Sequence, residues 1–175
     1  KKIAKRADIK GVIIQLPLPK NFNSQEFLNL VPPEKDVDVL TETNIGKFYS
    51  GNLPIYPPTA AGIRELLREY KIKLKGKNVV LVGAGKLVGR PLTLWLLKEK
   101  ASFSVVDEFT KDISFFTKKA DIIISGTGVV NIIKGNMIRK GAVVIDVGVS
   151  HKGKKLVGDV DFKSVSKKAS YIAPV

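Results

Sequence analysis

The stretch Val79-Val80-Leu81-Val82-Gly83-Ala84-Gly85-Lys86-Leu87-Val88-Gly89-Arg90-Pro91 decides how the rest of the chain reads. Four apolar residues run into a glycine-rich turn, and a leucine-rich segment follows. The pattern predicts a strand over 78–82, a loop, and a helix over 86–98. A strand that is apolar without alternation belongs in a parallel sheet covered on both faces. Glycine at 83 permits a tight turn out of the strand. Glycine at 85 lets backbone approach a pyrophosphate with no Cβ in the way, and glycine at 89 allows close helix–sheet contact. The amides and positive dipole end of the helix would then face the phosphates. The spacing G-x-G-x-x-x-G is one residue longer than the common dinucleotide fingerprint, so the assignment rests on the strand before it and the helix after it. Cofactor contacts are assigned to Gly83, Ala84, Gly85, Val88 and Gly89. An ordinary strand-to-helix turn that binds nothing is the alternative.

Downstream, strands are expected at 103–106, 121–124, 142–147 and 171–173. Helical segments are expected at 112–119, near 134–138 and at 160–169. Strands that alternate with helices through right-handed crossovers give an α/β, Rossmann-like, doubly wound and mostly parallel sheet. Asp107 ends the second strand, 18 residues past Gly89. A carboxylate there can accept hydrogen bonds from both adenosine ribose hydroxyls and would repel a 2′-phosphate. Glu108 adds a second negative charge, so NAD is predicted over NADP. A solvated strand-end acid is the alternative. Ser125-Gly126-Thr127-Gly128 follows the third strand, where backbone would meet the other half of the cofactor. Thr127 and Gly128 are assigned to that contact, with a simple loop as the alternative.

Upstream, Gly11-Val12-Ile13-Ile14-Gln15 reads as a short buried strand stopped by Leu16-Pro17-Leu18-Pro19. A short helix over 24–30 capped by Ser24, an acid- and proline-dense loop over 31–40 and a helix within 41–51 follow. An amphipathic helix then runs to Tyr70, with Ile63, Leu66, Leu67 and Tyr70 on one face.

Composition narrows the function class. The 175 residues carry 30 Lys+Arg against 16 Asp+Glu, a formal charge of +14. The lysines are spread along the chain and match no nucleic-acid recognition module, so they read as a solvated surface, with attraction of polyanionic ligands as a narrower alternative. No apolar run approaches the roughly 18 residues of a membrane span. There are no cysteines, which removes disulfides and thiolate metal sites and fits a reducing cytoplasm. One histidine, His151, sits in a polar stretch and reads as solvent-exposed; no metal site is expected. Trp95 reads as core. Asp146, at a strand end, is equally suited to a functional or a capping role.

Several segments together resemble the methylenetetrahydrofolate dehydrogenase/cyclohydrolase family. They are Gly11-Val12-Ile13-Ile14-Gln15-Leu16-Pro17-Leu18-Pro19, Pro33-Glu34-Lys35-Asp36-Val37-Asp38, Gly141-Ala142-Val143-Val144-Ile145-Asp146-Val147-Gly148, Leu156-Val157-Gly158-Asp159-Val160 and the closing Tyr171-Ile172-Ala173-Pro174-Val175. The resemblance implies oxidation of the one-carbon bridge of methylenetetrahydrofolate by hydride transfer to a nicotinamide, with methenyl hydrolysis as a second activity. It places Gln15 beside the reacting unit and Asp38 on the pterin, with Asp36 as the lesser candidate and Pro17 on the folate side. It also implies a homodimer. The expected organisation is a remnant of an α/β folate-binding domain over 1–57 and a cofactor domain over 58–175.

The family's catalytic lysine lies in a Tyr-x-x-x-Lys segment upstream of the Gln-Leu-Pro-Leu-Pro sequence, and neither Lys2 nor Lys5 has that context. The chain is therefore expected to be a fragment or a degenerate member that binds cofactor and turns over poorly. The cyclohydrolase activity depends most on the missing lysine. Ala84-Gly85 stands where the family has Arg-Ser, and Asp107-Glu108-Phe109 where it has His-Ser-Arg, which again favours NAD. Val39 stands where a glycine is usual. A non-catalytic dinucleotide-binding module and a basic nucleic-acid binder are the competing functions.

Overall fold

Apolar β-branched runs too short to stand alone gain their hydrogen bonds by pairing side by side, and that pairing organises the larger part of this molecule. The computed structural model describes residues 3–153 and 155–175, so Lys2 lies outside the described residues. The chain divides into two compact units, Lys1–Gly62 and Ile63–Val175.

In the first unit the expected strand at Gly11–Gln15 does not form. Val12 makes a single parallel bridge with Asp36, its N–H donating to the Lys35 carbonyl at 2.8 Å, and Ile13 is 62% exposed. One bridge on one side does not make a ladder, so the apolar run stays outside any sheet. The bond before Pro17 is cis. Helix α1 covers Ser24–Leu28, and its cap is Asn23 rather than Ser24: the Asn23 side chain accepts from the Gln25 N–H. Helix α2 covers Glu42–Tyr49, with Thr41 accepting from the Asn44 N–H. The acidic loop between them holds a 3₁₀ turn, Pro33–Lys35. Helix α3, Pro58–Glu69, begins on a proline, which suits a first turn whose N–H groups have no helical partner. The boundary between the units falls inside α3.

In the second unit, Ile63 and Leu67 of α3 are buried as expected, whereas Tyr70 lies past the helix end, half exposed, with its ring edge on Tyr171. Five parallel strands follow: β1 (Asn78–Val82), β2 (Ser102–Val106), β3 (Ile122–Ser125), β4 (Val143–Asp146) and, after a small hairpin of β5 (Ser150–Lys152) and β6 (Lys155–Val157), β7 (Tyr171–Ala173). The sheet order is β2-β1-β3-β4-β7. Chain direction across the sheet therefore reverses between β1 and β3. Helices α4 (Gly89–Lys98), α5 (Ile113–Thr117) and α6 (Phe162–Val165) occupy the crossovers. Three are shorter than their sequence pattern suggests. The α4 segment stays non-helical as far as Val88, whose φ of −125° lies outside the helical range. Asp112 caps α5 from outside by accepting the Ser114 N–H. Only four residues of the expected last helix keep helical geometry. The β5–β6 hairpin has no apolar alternation, and nothing in its lysine-rich sequence announces it.

Strand alternation splits the core. Val80, Val82, Val106, Ile123 and Val144 share a buried cluster with Ile133, Ile138 and Val165, and Ile113 and Phe116 of α5 pack on it. Helix α4 packs on β1 and β2 and buries Leu92, Trp95 and Leu96; the Trp95 Nε1–H donates to Glu99 at 3.1 Å. At the far end of the sheet Asp121 accepts from the Asn78 N–H and from Arg139, tying the starts of β1 and β3. Among the described residues no helix is long and apolar enough to cross a membrane. Ile123 is fully buried in the central strand. Its replacement by alanine should destabilise the protein by about 2–5 kcal/mol in denaturant unfolding. A loss below about 1 kcal/mol would contradict this account of the core.

Candidate functional site

Parallel register brings the strand ends together. Val82 pairs with Val106 on one side and Ser125 on the other, and Ser125 pairs with Asp146. The residues that follow, Gly83, Asp107 and Gly126, therefore emerge side by side where the sheet order reverses, the place where open α/β sheets take ligands. A cleft of about 330 Å³ lies there, lined by Gly83, Ala84, Gly85, Asp107, Gly126 and Thr127, with Ile113, Val129 and Ile132 as its apolar wall.

The loop from β1 to α4 is held by close backbone approach. Gly83 has a φ of +107°, and a Cβ there would sit 2.7 Å from the Gly126 carbonyl oxygen. A Cβ on Gly89 would meet the Gly83 carbonyl oxygen at 2.1 Å. Gly85 faces open space, and the amides of Ala84 and Gly85 have no acceptor among the described residues. Helix α4 starts without a side-chain cap, and backbone takes up its first turn: the Arg90 N–H donates to the Gly85 carbonyl at 3.0 Å, the Leu92 N–H to the Val88 carbonyl at 3.1 Å, and Pro91 has no N–H. Val88 and Gly89 lie behind the cleft wall: the Val88 side chain fills the space beside Gly126, and Gly89 is buried under the loop.

Asp107 is half-buried at the end of β2. Its Oδ1 accepts from the Phe109 N–H at 3.0 Å and from the Thr110 hydroxyl at 3.4 Å, and Oδ2 takes no hydrogen bond among the described residues. The turn thus fixes the carboxylate and leaves one oxygen to a ligand. Glu108 lies beside it on the cleft. Thr127 donates its N–H to Asp159 at 2.6 Å. Gly128 is set back, its carbonyl accepting from the Ser150 hydroxyl.

Two aspartates are buried below the cleft; the sequence pattern assigns Asp159 no role and leaves Asp146 open to a functional or a capping one. Asp159 is fully buried, and its Oδ2 accepts from the Ser125 hydroxyl at 2.7 Å as well as from Thr127. Asp146 accepts from the N–H groups of Gly148, Asp159 and Val160, so of the two roles open to it from sequence the structure shows it binding backbone. An acid directly after a glycine in an otherwise apolar segment, Gly158-Asp159-Val160, was the available signal.

In the first unit the two acids of the loop part company. Asp36 is buried, and it accepts from the N–H groups of Leu40 and Thr41, the Thr41 hydroxyl and the Asn44 amide. Three of these donors converge on Oδ2 and one on Oδ1, so the carboxylate braces the 40–44 backbone. Asp38 is only half-buried, and burial, reinforced by the nearby Asp36 charge, raises its pKa above the ordinary carboxylate value. Gln15 is exposed and donates to the Leu16 carbonyl at 3.1 Å. His151 is exposed on β5.

The parallel sheet, the glycine loop at its reversal and the strand-end acid define a class: a Rossmann-like α/β domain of the nucleotide-binding type. Residues 57–175 match the family model for the tetrahydrofolate dehydrogenase/cyclohydrolase NAD(P)-binding domain. The chain therefore belongs to the tetrahydrofolate dehydrogenase/cyclohydrolase family. It is 50% identical over 177 residues to the bifunctional protein FolD of Hydrogenobaculum sp., covering 100% of this chain and 64% of that protein. The crystal structure of the bifunctional FolD dehydrogenase/cyclohydrolase from Campylobacter jejuni superposes with a TM-score of 0.93 at 40% identity, over 99% of this chain and 62% of that one. The Trypanosoma brucei dehydrogenase-cyclohydrolase complexed with NADP and inhibitor gives a TM-score of 0.93 at 34% identity, over 99% and 62%. The chain spans just under two thirds of the length of these relatives.

Burial is the larger cause that raises the Asp146 pKa, with Asp159 adding to it against three backbone N–H groups that lower it. The folded state then holds the Asp146 proton more tightly than the unfolded chain does. Its contribution to stability is complete below the ordinary carboxylate pKa of about 4 and is lost as pH rises through the folded value. Relative to Asp146→Asn, the unaltered protein should lose unfolding free energy as pH rises through that window in urea titrations. A gap that stays constant or widens with pH would contradict the assignment.

Proposed function

We propose that Ile63–Val175 binds a nicotinamide dinucleotide and that the protein carrying this chain oxidises 5,10-methylenetetrahydrofolate. The observation that carries this reading is the register that sets Gly83, Asp107 and Gly126 at one cleft. The exposed amides of the 84–85 turn, just ahead of the N-terminal end of α4, suit a diphosphate. The free oxygen of Asp107 suits the adenosine ribose, and the Gly126–Thr127 backbone suits the other half of the molecule. When bound, the dinucleotide supplies the hydride acceptor; the protein supplies orientation. In the first unit, Gln15 and Pro17 would flank the one-carbon bridge. Asp38, whose oxygens take no hydrogen bond among the described residues, would pair with the donor edge of the pterin. Asp36, buried and already accepting from four donors, suits that role less.

NAD is the cofactor we favour. A 2′-phosphate would be brought against Asp107 and Glu108, and like charges in one cleft cost affinity. The Trypanosoma brucei relative was crystallised with NADP, so the preference inferred here is a property of these two residues rather than of the fold. Calorimetric titration of the chain should give NAD about tenfold or more tighter than NADP, and Asp107→Asn should narrow that ratio. Tighter NADP binding by the unaltered chain would overturn the assignment.

A further inference from the structure

We infer that Asp159 is the positioning residue for the nicotinamide half of the cleft, holding the Ser125–Thr127 turn in the conformation that receives it. The inference rests on the dinucleotide reading of the cleft. Asp159 lies 34 residues from Ser125 in sequence, yet its Oδ2 takes the Ser125 hydroxyl at 2.7 Å and the Thr127 N–H at 2.6 Å. Thr127 is in the cleft wall, and the Gly126 carbonyl between the two donors abuts Gly83. One carboxylate oxygen therefore sets the turn that carries Thr127 in the cleft wall, while the glycine loop keeps anchors of its own in the Gly83 N–H on the Val106 carbonyl at 2.8 Å and the close approach of Gly89 to Gly83.

The carboxylate is itself held from several sides. Its backbone N–H donates to Asp146 at 3.1 Å, and the next N–H, of Val160, donates to the other Asp146 oxygen at 2.8 Å. Gly148 presses on the Asp159 carboxyl group, where a Cβ would come within 2.1 Å, and Gly158 presses on Asp146, where a Cβ would come within 2.0 Å of Oδ2. Neither aspartate has room to turn. The second oxygen of Asp159 is buried and has no hydrogen-bond partner among the described residues. A half-satisfied buried carboxylate costs stability. Here the oxygen that is satisfied ends on two donors of the cleft turn, so the cost falls where it orders a binding surface.

Loss of this contact should separate the two halves of the ligand. ADP uses the 83–89 loop and Asp107, and NAD also needs the Gly126–Thr127 turn. Asp159→Asn removes the charge that strengthens both hydrogen bonds and buries an NH₂ with no acceptor. Calorimetric titration of the full chain should show NAD bound about tenfold more weakly by this variant and ADP within about twofold of the unaltered chain. Ser125→Ala removes one donor without adding a polar group; it should show the same split at about threefold, and it carries the test if Asp159→Asn fails to fold. Equal losses for NAD and ADP, or no loss for either, would overturn the inference and leave Asp159 a structural residue only. Failure of the unaltered chain to bind either ligand would overturn the dinucleotide reading, and the inference with it.

Discussion

The parallel register at Val82 is the constraint on which the rest of the site depends. Because Val82 is paired with Val106 and with Ser125 at once, three loops leave the sheet at the same height. A shift of one residue in any of these strands would turn its side chains to the opposite face and carry its loop out of the cleft. The buried valines and isoleucines of β1 and β3 therefore do more than fill a core: they fix which backbone is offered to a ligand. The close approach of Gly83 to both Gly126 and Gly89 depends on the same alignment, since a Cβ at either Gly83 or Gly89 would collide with a carbonyl oxygen.

Much of this was legible in the sequence because the signals are local. The apolar run 79–82 and the glycine turn after it place strand β1 to the residue, and β7 was equally plain. Asp107 could be placed at a strand end by counting. What could not be read depends on partners distant in sequence. Residues 11–15 have strand composition, but strand formation needs neighbours on the sheet, and only Val12 finds one. The start of α4 was set too early because Lys86 and Leu87 are good helix formers; the contact between Gly89 and Gly83 sets the first helical residue at 89. The β5–β6 hairpin escaped because its residues are mostly polar on both faces, which leaves no period to detect.

The acids show the same division between composition and context. Asp36 and Asp38 are two residues apart in one loop and are equivalent by type. The first is consumed by the backbone of residues 40–41 and by Asn44, whereas the second keeps its acceptors. From sequence Asp146 is open to a functional or a capping role and Asp159 has no assignment of its own, and they prove to be a buried pair linking the end of β4 to the turn after β3. Family membership accounts for the order of these segments along the chain, and the hydrogen bonds account for what each acid can still do.

The most direct test of the account is a crystal structure of this chain with NAD. The diphosphate is expected against the amides of Ala84 and Gly85 in the loop before α4, with a ribose hydroxyl on Asp107. A diphosphate bound elsewhere, or a cleft closed by its own side chains in the presence of saturating NAD, would contradict it.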